Sequence, residues 1–292
     1  MPPARDAARP REKICPPPPR ANAATAAALA HDGLRAHLDA LAAAYETPAF
    51  IAADPVCIPH AYPDPRDREI AALVAAVFAW GQRPTILAKA RDFLGRMGDS
   101  PYAFVTEHAP ADRGAFGDFV HRTFQPADAD YFLRRLQRHY RAHESLESLF
   151  ADGARDGEED VGPALRRFHE RFFDDPAAPQ RTRKHIATPA RGSTCKRLCM
   201  LLRWMVRPAA GGVDFGLWHR LRPEQLVIPI DVHVRRQAEA LGLLTRPQND
   251  WRAAVELTGR LRAFDPADPV KYDFALFGEG ALRARDGGSG LA

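Results

Sequence analysis

A chain of 292 residues, 46% hydrophobic and 27% charged, is long enough to bury a sizeable core, either as one large domain or as two small lobes sharing an interface. Four cysteines in that length exclude a disulfide-stapled scaffold, and no run reaches the roughly 18 apolar residues of a membrane span, so a soluble cytoplasmic protein is expected. The net charge of +4 is modest evidence for a polyanionic partner until its distribution along the chain is considered.

In chain order, residues 1–27 are rich in Ala, Pro and Arg and lack both an apolar period and a hydrophobic stretch of signal-peptide length; they predict a disordered tail. An Arg-containing transit peptide is the alternative, opposed by the acidic residues and the proline run. A helical domain is expected over 28–283, with a flexible tail over 284–292. Leu34, Leu38, Leu41 and Tyr45 share one helical face, as do Ile70, Leu73, Val74, Val77 and Phe78 behind Asp67 as the expected N-cap. After a break over 81–84, Ile86, Leu87, Ala90, Phe93, Leu94 and Met97 mark another helix, and Ser100-Pro101 has the form of a helix start. Leu133, Leu136 and Tyr140 mark the next, and an acidic loop over 152–160 precedes a helix carrying Leu165, Phe168 and Phe172. No segment alternates as a strand, which makes the class all-α.

From Arg181 to Arg207 there are eight Lys/Arg and no acid, so the rest of the chain is net acidic. Within this stretch Pro189-Ala190-Arg191-Gly192 forms a turn, and Ser193 is the expected N-cap of a helix from Thr194 to about Val206. Leu198, Leu201, Leu202 and Met205 face inward by period, while Lys196, Arg203 and Arg207 recur on another side as a positive stripe. Further on, Asp231 caps a helix ending near Gly242, and Asp268-Pro269 opens a last helix with Tyr272, Phe274 and Phe277.

The turn and helix over 189–207 and the run Ile230-Asp231-Val232-His233-Val234-Arg235-Arg236 together resemble the helix-hairpin-helix DNA glycosylases. The chain is also similar, from Asp54 to Leu282, to an uncharacterised bacterial domain family that shares the glycosylase fold pattern. The motifs REIAALVAAVFAWGQR, GSTCKRLCMLLRWMVR, IPIDVHVRR and DPVKYDFALFG carry that similarity. The resemblance implies a two-lobed helical fold with a helix-hairpin-helix-like element, a cleft between the lobes, and duplex DNA held through its backbone. It implies excision of a damaged or modified base in base-excision repair, with Asp231 stabilising positive charge on the deoxyribose and Lys196 attacking the sugar carbon in a lyase variant. Arg191, Gly192, Ser193, Arg197, Arg203, Arg207, His233 and Arg235 are the residues it assigns to nucleic-acid contact.

In the common glycosylase hairpin the lysine falls two positions after the second turn glycine; that offset from Gly192 is Thr194, and Lys196 lies two further on. Gln82 sits one position from where many glycosylases place a glutamine that fills the space of the extruded base. The iron-sulfur cysteines of some relatives have no counterpart in the tail GEGALRARDGGSGLA, so no cofactor is expected. Cys195 and Cys199 supply half a zinc site with no second pair at ligand spacing, so no metal is expected either. Trp80, Trp204 and Trp218 read as core anchors, one of them able to stack on an extruded base. A non-catalytic nucleic-acid-binding module of the same fold, in which Asp231 is only a helix cap, stands as the alternative.

Overall fold

The computed structural model describes residues 31–52 and 54–278; the tails expected over 1–27 and 284–292 lie outside the described residues. Among the described residues the ten helices of seven residues or more are α1 (His31–Tyr45), α2 (Pro65–Phe78), α3 (Arg83–Gly95), α4 (Pro101–Glu107), α5 (Pro126–Tyr140), α6 (Gly162–Phe172), α7 (Lys196–Val206), α8 (Val232–Ala240), α9 (Trp251–Arg262) and α10 (272–278). Shorter helical turns at Pro48–Ile51, Cys57–His60 and Glu147–Ala151, and several 3₁₀ turns, connect them. Among the described residues there is no β-strand, only an isolated bridge between His121 and Phe124, so the all-α reading holds.

Buried apolar side chains from Leu34 to Leu276 form one continuous cluster, with α2 at its middle. Period alone assigns α2 one apolar face, but every residue from Glu69 to Phe78 is buried. A helix enclosed on all sides is what small residues permit: Ala71, Ala72, Ala75 and Ala76 let α3, α4, α7 and the Cys57–His60 turn approach closely around it. Burying each of its large side chains, Ile70, Leu73, Val74 and Phe78, contributes about 1.5–3 kcal/mol, which makes α2 the scaffold for the helices around it. Its one charged residue within that enclosed stretch, Glu69, has both carboxylate oxygens hydrogen-bonded. Glu69 accepts hydrogen bonds from Tyr140 Oη (3.0 Å), Ser145 Oγ (2.5 Å), Leu146 N (3.0 Å) and Trp218 Nε1 (2.5 Å).

The ends of the helices follow local chemistry, with two departures from the sequence reading. Asp64, not Asp67, caps α2, its carboxylate accepting from Arg66 N at 2.8 Å and Pro65 filling the first helical position. Asp67 is buried and accepts from Ser100 Oγ and Tyr102 N, tying α2 to the start of α4. The helix after Gly192 begins at Lys196 rather than Thr194, because Cys195 adopts the left-handed conformation (φ 52°, ψ 27°) and Ser193 Oγ accepts from Cys195 N instead of capping the helix. Only a three-residue 3₁₀ turn, Pro189–Arg191, precedes Gly192 on the other side. Ser100 and Asp231 cap α4 and α8 as their sequence positions indicate.

Candidate functional site

A cavity of about 630 Å³ opens where segments far apart in sequence converge, within the roughly 300–1,000 Å³ typical of small-molecule sites. Its lining comes from Phe50, Asp54 and Pro55, the turn Ala79 to Gly81, the start of α3, the turn 193–195, α7, the start of α8, and Asp273 and Phe277 of α10. Lys196, Met200 and Arg203, spaced along one face of α7, run down its wall. Gly81 has φ +108°, a conformation side chains rarely adopt, and an added Cβ would lie 2.8 Å from Arg122 Nη1. The turn that carries Trp80 into the lining is therefore built for glycine.

Asp231 stands at the N-terminus of α8. Its Oδ1 accepts from both His233 N and Val234 N at 2.8 Å, which fixes the carboxylate and leaves Oδ2 towards Lys196 Nζ at 3.4 Å. The Asp231 side chain is 13% exposed and that of Lys196 35%, so the pair is half-sheltered at the cavity wall. The two residues singled out for chemistry are thus brought together across 35 positions of sequence despite the displaced lysine offset.

Two carboxylates missed by sequence reasoning complete the lining, Asp54 and Asp273, at 8% and 5% exposure. Burial pushes the Asp273 carboxyl up to about 6, with the charges of Asp231 and Asp54 adding to the shift and Arg203 opposing it. Burial likewise raises Asp54, against the pull of Arg203. Asp54 Oδ1 accepts from Val56 N at 3.0 Å, and Asp273 Oδ2 pairs with Arg203 Nη1. Asp273 had a signal in the sequence, being one acid inside the apolar run Tyr272 to Phe277; Asp54, in a loop, had none.

The positive stripe of α7 runs inward instead of along a solvated face. Arg203 and Arg207 are each 3% exposed. Arg203 pairs with Asp214 and Asp273, while Arg207 holds Asp268, Glu46 and Asp214. Arg207 is therefore removed from any surface phosphate contact, and Arg203 is accessible only through the cavity it lines. Arg197 also turns in: it donates to the Val77 carbonyl, stacks 5.9 Å from the Trp80 ring, and burial lowers it to about 10. Arg235 clamps the carbonyls of Arg246, Pro247 and Gln248 and pairs with Glu239. Arg191 and Gly192 are exposed, and Ser193 and His233 line the cavity.

Of the tryptophans, Trp204 and Trp218 are core residues, whereas Trp80 is half-buried in the lining. Trp80 Nε1 and His233 Nδ1 are buried with no hydrogen-bond partner. Gln82 is exposed at the N-cap position of α3 and does not line the cavity. Cys195 and Cys199 are buried, and burial raises both thiols, Cys195 to about 12, leaving them protonated and unreactive. Among the described residues no group of three or more His, Cys, Asp or Glu is placed to hold a metal ion, and no helix is long and apolar enough to cross a membrane.

The site residues lie inside a stretch, 54–282, matched by a family model described as "Protein of unknown function (DUF2400)". The chain belongs to the DUF2400 family. In this DUF2400 member the matched stretch opens on Asp54 and contains Lys196, Asp231 and Asp273, so all of the cavity lining but Phe50 lies within the family domain. No curated protein and no solved structure matches the chain.

Proposed function

We propose that this protein binds duplex DNA and cleaves the N-glycosidic bond of a base extruded into the cavity, as a DNA glycosylase with lyase capacity. The observation that carries the reading is the Lys196–Asp231 pair on the wall of a cavity large enough for a nucleotide. As the bond from C1′ to the base breaks, the electron pair leaves with the base and positive charge develops on the sugar. Asp231 Oδ2 supplies the compensating negative charge, and the two amides on Oδ1 hold it in place without reorganisation. Lys196 Nζ is the nucleophile: its proton passes by way of Asp231 Oδ2 to the departing base, which has taken the electron pair of the broken bond, so that Asp231 is again a carboxylate. The amine lone pair forms the new bond to C1′, and opening of the C1′–O4′ bond then gives the imine. The helix-hairpin-helix character of the 189–196 turn, the two-lobed arrangement and the grip on DNA backbone belong to the same proposal.

The test is base release from duplexes carrying a panel of damaged bases, with borohydride trapping of the imine. Wild-type protein is expected to release one class of base. Asp231→Asn should lower release at least about 10²-fold while DNA binding is kept, since the amide preserves shape and removes charge. Lys196→Gln should abolish trapping. The cap bonds of Asp231 favour the alternative of a binding module, and that reading wins if no lesion is processed and Asp231→Asn costs only the ~1 kcal/mol of a weakened cap.

A further inference from the structure

The floor of the cavity carries chemistry that the Lys196–Asp231 pair does not use. Asp54 and Asp273 are buried side chains in the lining, each with one oxygen engaged, by Val56 N and by Arg203 respectively. No donor among the described residues reaches the second oxygen of either. Neither second oxygen is among the buried side-chain atoms left without a partner, so each is open to the cavity, where water or the N–H and O–H groups of a ligand can reach it.

The charge balance narrows what that is. The lining holds four cations, Arg83, Lys196, Arg197 and Arg203, against three carboxylates, Asp54, Asp231 and Asp273. A positive balance disfavours a cationic ligand, while Asp54 and Asp273 repel a phosphate from their own part of the lining. A neutral group rich in donors remains. Phe50, Trp80 and Phe277 add aromatic surface against which a planar ring packs.

We infer that Asp54 and Asp273 bind the edge of a nucleobase that carries two adjacent N–H donors, as guanine does with N1–H and its 2-amino group. The inference rests on the reading of the cavity as a base pocket. Acceptor oxygens on the floor match that edge and mismatch the others. Thymine and uracil flank their single N–H with carbonyl oxygens, while cytosine and adenine place a ring acceptor beside the amino group; in each, a lone pair faces a carboxylate. Deoxyinosine differs from deoxyguanosine only in lacking the 2-amino group and is the sharpest probe.

Equilibrium dialysis of the full chain at pH 8 with deoxyguanosine, deoxyinosine, thymidine, deoxycytidine and deoxyadenosine tests it. Deoxyguanosine is expected to bind at least about tenfold more tightly than deoxyinosine, in line with the discrimination given by a paired polar contact. Asp54→Asn should erase that preference, and Asp273→Asn should do the same, with circular dichroism verifying that each variant is folded. Equal affinity for deoxyguanosine and deoxyinosine, a preference for thymidine, a preference that survives both substitutions, or no nucleoside binding at millimolar concentration would each overturn it. Base release is scored separately so that the two readings fail apart. Release of a base lacking this edge, with equal nucleoside binding, sinks the inference and leaves the glycosylase standing. Selective deoxyguanosine binding with no release on any duplex does the reverse.

Discussion

His139, near the end of α5, shows how single buried residues set the pH response. Its Nε2 lies 2.9 Å from the Ser145 carbonyl oxygen at 7% exposure, and burial lowers it to about 4, with neighbouring His143 and Arg135 adding to the shift. The folded state therefore holds it neutral while the unfolded chain protonates near 6.5, so the unfolded state binds more protons between those values. Its contribution is present above pH 6.5 and lost as the pH falls towards 4, up to roughly 3 kcal/mol. His121 and His169 are lowered by burial in the same sense. Asp273 works the other way: its raised carboxyl contributes below 3.8, and that contribution fades as the pH rises through about 6. Urea unfolding of wild type and His139→Gln at pH 5 and pH 7 isolates the histidine. The variant is expected to lose less stability between pH 7 and pH 5, and equal losses would mean that His139 is not held neutral.

At the level of elements, α7 is where sequence periodicity and the folded chain part company. Leu198, Leu201, Leu202 and Met205 face the core as their spacing predicts. Lys196, Arg203 and Arg207 also keep their common side, but that side descends along the cavity into the protein, because Glu46, Asp214, Asp268 and Asp273 neutralise the two arginines. Helical period reports which residues share a face; it does not report whether a cation on that face meets water or an acid 161 residues away, as Arg207 meets Glu46. The same limit explains the α2 cap, where Asp64 and Asp67 lie one turn apart and only the Ser100 and Tyr102 contacts reserve Asp67 for another task. Removing Arg207 tests the network. Arg207→Met leaves Asp214, with no exposed side chain, beside the part-buried Asp268 and Glu46, and the expected loss is about 3–5 kcal/mol of unfolding free energy measured in urea. Lys196→Gln, at a half-sheltered side chain, should cost under about 1 kcal/mol, so a comparable loss in both would contradict the division drawn here.

For the molecule as a whole, the all-α class was legible because it rests on a helical period, and Lys196 and Asp231 were singled out by two short motifs that resemble a known family, whereas the meeting of the two side chains is a product of the fold. Asp54 and the inward course of Arg203 were not, since both depend on tertiary approach between segments that carry no mark of each other. This redraws the surface that meets DNA under the proposed function. Exposed cations with no ion pair to a carboxylate among the described residues include Lys184, Arg191, Arg236 and Arg252, and Arg191 adjoins the turn that leads into the cavity.

Each phosphate neutralised by such a residue releases counterions and contributes about −0.9 to the slope of log K against log salt. Arg191→Ala should therefore weaken duplex binding at low salt and flatten the slope by about 0.9, and adding Lys184→Ala should flatten it by about as much again. Arg203→Ala makes the decisive comparison because its side chain is 4% exposed and committed to Asp214 and Asp273. It should destabilise the fold and leave the slope of the remaining folded protein unchanged. Titrations by fluorescence anisotropy from 50 to 200 mM salt, with a non-specific duplex, read both effects. Flattening by Arg203→Ala together with an unchanged slope in Arg191→Ala would place the phosphate contacts in the cavity rather than on the rim. DNA would then have to enter as a single extruded nucleotide before any backbone contact formed. An affinity independent of salt in the wild type would remove duplex DNA as the partner altogether.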